Sequence, residues 1–104
     1  MKKKHHIEHK DASGLLHKDD GPAVITDKGD KFYYKHGLIN RSNGPAIIMV
    51  DGTKIYCKNN LPHRIDGAAK IFPNGEREYW INGFRLKNVK SVAELVIYVM
   101  LNCN

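Results

Sequence analysis

Asp20-Gly21-Pro22-Ala23 recurs as Asn43-Gly44-Pro45-Ala46 and again as Asp66-Gly67-Ala68-Ala69, at a spacing of 23 residues each time. Other columns keep the same period without a gap. Gly29, Gly52 and Gly75 form one, and Tyr33, Tyr56 and Tyr79 another. His17, Asn40 and His63 make a third, Lys18, Arg41 and Arg64 a fourth, and Leu38, Leu61 and Phe84 a fifth. Self-similarity at a fixed period of this length marks an array of supersecondary units. The units run 17–39, 40–62 and 63–85, and Gly14-Leu15 matches Gly37-Leu38 as the end of a partial unit.

Each unit reads as two strands and two turns. Proline fixes φ and is tolerated where a strand starts. The first strand is Ala23 to Thr26, Ala46 to Met49 and Ala69 to Phe72; the second is Lys31 to Lys35, Lys54 to Lys58 and Arg77 to Ile81. Asp51-Gly52 and Asn74-Gly75 are strong turn signals, since these residues accept positive φ. Lys28-Gly29 fills the same slot. Asn82-Gly83 closes the third unit, with His36-Gly37 and Asn59-Asn60 as its equivalents. One hairpin cannot bury its apolar face alone, whereas stacked units share a core. The expected fold is mainly β (α+β): three tandem 23-residue β-hairpin repeats in an antiparallel array, capped by a C-terminal helix.

Period-two alternation predicts the faces. Phe32, Ile55 and Glu78 share a parity with Tyr34, Cys57 and Trp80 and are expected in the core. Ala23, Ala46 and Ala69 share one with Ile25, Ile48 and Ile71, also expected in the core. The remaining parity holds Lys31, Lys54 and Arg77, the three tyrosines, and Lys35, Lys58 and Ile81. It predicts an exposed ladder of Tyr33, Tyr56 and Tyr79 flanked by cations. Such a stripe fits stacked bases and phosphates, or an acidic protein surface. Cross-strand tyrosines also stabilise a sheet without binding anything.

Ser91-Val92-Ala93-Glu94 matches a capping box and opens a helix. Val92, Leu95, Val96, Val99 and Met100 fall on one helical face, while Ile97, Tyr98 and Leu101 lie elsewhere. The helix is thus apolar nearly all round. Its surplus face predicts contact with a partner or a second copy, through Leu95 and Val99, and a helix tucked deeply across the end of the array is the alternative.

The formal net charge is +6 over 104 residues, and half of the excess sits in residues 1–10. Residues 1–13 are expected as a basic arm, 14–86 as the array and 87–104 as the helical segment. Such a basic arm favours nucleic acid, an anionic membrane or an acidic protein as partner, or serves as a solubilising tail. No apolar run has the length of a transmembrane helix, and no signal peptide is visible. Cys57 and Cys103 lie in unlike contexts and are expected reduced, consistent with a cytoplasmic protein.

His5, His6 and His9 with Glu8 imitate a metal site without a second shell, and no metal or cofactor is expected. Asp20 and Asp66 are expected to accept local backbone hydrogen bonds in turns. Residues repeated in every unit do not break symmetry as a catalytic constellation does. There is no phosphate-binding glycine loop and no nucleophile elbow, so no enzyme is expected.

At these columns the chain resembles the MORN-type repeat, in the Leu-His-Arg-x-Asp-Gly-Pro-Ala variant of bacterial, phage and giant-virus proteins. The likeness rests on His17 to Ala23, Asn40 to Ala46 and His63 to Gly67, with the Gly52-Thr53 and Tyr33-Tyr34 columns, and covers residues 14 to 86. It implies an extended hairpin stack acting as a scaffold. The chain lacks the Tyr-x-Gly pattern of the eukaryotic type, which points away from lipid. A short free-standing array of this kind implies a phage or bacterial accessory protein, with inhibition of a host defence or nucleic-acid enzyme as the expected role. Direct nucleic-acid binding through the tyrosine–lysine stripe is the alternative.

Overall fold

The computed structural model describes residues 6–102, and the chain folds as antiparallel β-hairpins with one C-terminal helix. A seven-stranded sheet contains β1 (Ile7–Glu8), β2 (Val24–Ile25), β3 (Lys31–Phe32), β6 (Ile47–Ile48), β7 (Lys54–Ile55), β10 (Lys70–Ile71) and β11 (Arg77–Glu78), in that order. Three two-stranded ribbons lie outside it: β4 (Tyr34–Lys35) with β5 (Leu38–Ile39), β8 (Cys57–Lys58) with β9 (Leu61–Pro62), and β12 (Trp80–Ile81) with β13 (Phe84–Arg85). Helix α1 spans Val92–Asn102. The molecule measures 51 × 33 × 18 Å, and the short dimension leaves room for about two layers of backbone.

Two turn geometries alternate. Each ribbon closes through two residues of positive φ: His36 and Gly37, Asn59 and Asn60, or Asn82 and Gly83. Positive φ at both positions is what a type I′ hairpin requires. The sheet hairpins close through three residues, with Gly29, Gly52 or Gly75 in the left-handed region. There the Met49 N–H donates to the Thr53 carbonyl, and Phe72 bonds Glu76 in the same way.

The chain changes direction at each tyrosine. Tyr33 lies between β3 and β4 and belongs to neither. Its N–H donates to the Ala46 carbonyl of the sheet, while its own carbonyl accepts from Asn40 in the return segment. Tyr56 bonds Ala69 and His63 in the same way. This corner resets the alternation, so a parity read continuously from 31 to 35 fails. Tyr79 is only 5% exposed, and Ile81, expected outside, is buried.

The register also moves the isoleucines. Ile7, Ile25, Lys31, Ile48, Lys54, Ile71 and Arg77 pair successively across the sheet. Directly paired residues share a face, so Ile25, Ile48 and Ile71 stand beside the cations and are half-buried rather than deep core. The opposite row runs Glu8, Val24, Phe32, Ile47, Ile55, Lys70 and Glu78, and Val24 is buried. Ala23, Ala46 and Ala69, at the corners, have no exposed surface, as expected of core.

The segment expected as a basic arm enters the sheet from Ile7; the residues before His6 lie outside the described residues. Lys10 bridges Leu16, and the Ala12-Ser13-Gly14 loop is one residue longer than the His36-Gly37 turn. Ile7 rather than Glu8 therefore faces Ile25.

The helix closes the other end. Ser91 Oγ accepts from the Glu94 N–H at 3.2 Å, and Glu94 Oε1 accepts from the Lys90 N–H at 2.8 Å. These bonds satisfy amides that a helix start leaves unpaired. Leu95 is fully buried in a cluster with Ala68, Tyr79, Ile81 and Val89, flanked by Ile71, Leu86, Tyr98 and Val99. Leu95 is thus core rather than a partner contact, and Val99 packs against that core. The buried face runs through Leu95, Tyr98 and Val99, rotated from the expected one, because the helix docks on the sheet end through Leu95.

Candidate functional site

The segments 40–45 and 63–68 leave the β4–β5 and β8–β9 ribbons, segment 17–22 leaves the Lys10–Leu16 bridge, and each leads into the next sheet strand. The Arg64 guanidinium lies 3.9 Å from the centroid of the Tyr56 ring. Its Nε donates to Asp66 Oδ1 at 2.9 Å and its Nη1 to the Ala68 carbonyl at 3.1 Å. Arg41 sits likewise over Tyr33 at 3.9 Å and donates to Asn43 Oδ1 and the Pro45 carbonyl. Asp66 therefore accepts from an arginine rather than from the turn backbone.

The glycine of this motif follows from the same contact. A Cβ on Gly67 would lie 2.6 Å from Arg64 Cζ, and one on Gly44 would lie 2.8 Å from Arg41 Nη1. Neither glycine has a left-handed φ. The guanidinium occupies the space that a side chain would need.

The preceding column holds the turns. His63 Nδ1 accepts from the Asn82 N–H at 2.9 Å, His17 Nδ1 from His36 at 3.0 Å, and Asn40 Oδ1 from Asn59 at 3.2 Å. Burial, with the Lys58 charge nearby, holds the His63 imidazole below its usual range and favours the neutral acceptor form.

The expected tyrosine ladder is not exposed. Tyr33 and Tyr56 lie under arginines, and Tyr79 belongs to the cluster beneath the helix. Lys31, Lys54 and Arg77 are exposed on one face of the sheet, separated by isoleucines. Among the described residues, the structure brings these cations into one line, in which Ile71, between Lys54 and Arg77, packs against the cluster that contains Leu95. Cys57 is buried and forms no disulfide, and burial raises its thiol above the usual range, which opposes thiolate formation. Cys103 lies outside the described residues.

Two further features mark the surface: an apolar helix face, whose surplus the sequence predicted but whose residues it did not place, and a second that escaped the sequence reading. The outer side of the helix exposes Val92, Val96 and Ile97, and leaves Met100 and Leu101 76% and 78% exposed. Only the docking orientation decides this. The second feature is a pair of grooves between successive loops. One, of about 400 Å³, is lined by Asp19, Asp20, Tyr33, Lys35 and Arg41. The other, of about 670 Å³, is lined by Arg41, Tyr56, Lys58, His63, Arg64 and Ile65, among others. A signal was present in the columns, where Asp19-Asp20 is replaced one period later by Ser42-Asn43.

Among the described residues, no helix is long and apolar enough to cross a membrane. Comparison with known protein families, with curated proteins and with solved structures finds no match to this chain.

Proposed function

We propose that the chain is a non-enzymatic protein-binding module built as a three-unit MORN-like array with a capping helix. Support for the repeat comes from the 23-residue columns and from the identical pairing of Val24 with Phe32, Ile47 with Ile55 and Lys70 with Glu78. The observation that carries the binding reading is the outer helix surface of Val92, Val96, Ile97, Met100 and Leu101. A continuous apolar patch on a small protein marks an interaction site.

The occupant we assign is a different protein with a carboxylate-rimmed apolar patch. Exposed Lys87 and Lys90 lead into the helix, and Glu94, its one acidic residue, already accepts from the Lys90 backbone. Lys87 and Lys90 make the N-terminal rim of the patch basic, which an acidic rim on the partner complements. A cytoplasmic inhibitor of a host defence or nucleic-acid enzyme, encoded by a phage, fits this reading.

The test uses the tagged full chain, nuclease-treated lysate and light scattering. Met100→Glu and Ile97→Glu are expected to release the captured protein while the circular dichroism spectrum persists. Retention of the partner by both variants overturns the assignment, and a dimer that both variants dissociate assigns the patch to a second copy. A second reading, nucleic-acid binding, is favoured by the row of Lys31, Lys54 and Arg77, but the covered tyrosines offer it no open stacking ladder. It requires an affinity that falls steeply with salt.

A further inference from the structure

The two grooves share one construction and differ in chemistry. In the smaller groove Asp19 and Asp20 offset Lys35 and Arg41. Lys35 is also held in place, its Nζ donating to the Lys18 and Asp19 carbonyls at 2.9 Å each. In the larger groove Ser42 and Asn43 occupy the positions of those aspartates. The counterpart of Lys35 is Lys58, which is exposed and makes none of the side-chain hydrogen bonds or ion pairs found among the described residues. The lining therefore presents Arg41, Lys58 and Arg64 against one carboxylate, Asp66, already paired to Arg64.

We infer that this groove binds an extended acidic segment of a protein partner. Each arginine spends Nε and Nη1 within its own loop, leaving Nη2 donors outside those bonds. One step of the array spans two strand spacings, roughly 10 Å, so Arg41 and Arg64 stand about that far apart. Carboxylates three residues apart on a polyproline II segment, which has three residues per turn, fall on one side roughly 9 Å apart, and Lys58 supplies a third cation in the same lining. Ile65, 55% exposed at the wall, gives the segment an apolar contact. Tyr56 lies under Arg64, which turns the groove from base stacking toward carboxylate recognition.

The inference rests on the protein-binding reading and names a second contact for it, separate from the helix. The test titrates the full chain with a synthetic peptide carrying Glu at every third position, and with its Gln counterpart, followed by amide chemical shifts and fluorescence anisotropy. The Glu peptide is expected to shift the amides of Tyr56, Lys58 and His63 to Asp66. Lys58→Glu is expected to weaken it at least tenfold, and Lys31→Glu, the same charge change on the sheet face, less than twofold. Equal loss in both variants, shifts elsewhere, or tighter binding of a thymidine oligonucleotide in this groove overturns the inference. Capture of a partner that Met100→Glu releases and Lys58→Glu does not would overturn the groove alone. Failure of capture with peptide binding intact would instead count against the helix reading.

Discussion

Replacing Gly67 with alanine should destabilise the protein through Arg64 and not through the backbone. The added methyl would sit 2.6 Å from Arg64 Cζ, so the guanidinium must leave Tyr56. Three interactions go with it. The ring contact contributes about 1 kcal/mol at a partly exposed site. The Nη1 bond to the Ala68 carbonyl contributes about 1 kcal/mol. The Asp66 pair adds close to nothing, since that carboxylate is 80% exposed. Alanine returns about 0.5 kcal/mol by restricting the unfolded chain. The expected net cost is about 1.5 kcal/mol, or a Tm lower by roughly 6–9 °C for a domain of this size. With Arg64 already replaced by alanine, the same substitution should become neutral or stabilising by about 0.5 kcal/mol. The coupling of about 2 kcal/mol is measured by a double-mutant cycle of urea unfolding on the wild type, Gly67→Ala, Arg64→Ala and the double variant. Equal cost of Gly67→Ala in both backgrounds would refute the guanidinium account.

Leu95→Ala should cost about 2–5 kcal/mol in urea unfolding, because the side chain is fully buried beneath the helix. Ala46→Leu should cost about 1–3 kcal/mol by overpacking a corner that has no exposed surface. His63 is held below its ordinary range, so the unfolded chain takes up the proton first. Stability is therefore complete above about pH 6.5 and falls as the pH drops below it. His63→Asn, which copies the acceptor that Asn40 provides, should shrink the difference between urea midpoints at pH 5 and pH 7.5.

The sequence by itself determined the hairpins and their turns. Asp51-Gly52, Asn59-Asn60 and Asn82-Gly83 encode local conformations, and Gly52, Asn59, Asn60, Asn82 and Gly83 take the positive φ that these residue types tolerate in turns. It likewise determined the start of the helix, through Ser91 and Glu94. The faces were legible only in part: Ala23, Ala46, Ala69 and Cys57 are buried as alternation predicts, but alternation assumes a continuous strand and the chain turns a corner at Tyr33, Tyr56 and Tyr79. The role of Gly67 was also hidden, because it depends on a guanidinium arriving from Arg64. Tertiary structure alone decided that Leu95 is core while Met100 and Leu101 are exposed. A helix apolar nearly all round carries no local mark of the side that meets the sheet; burial of Tyr79 and Ile81 against it sets the rotation.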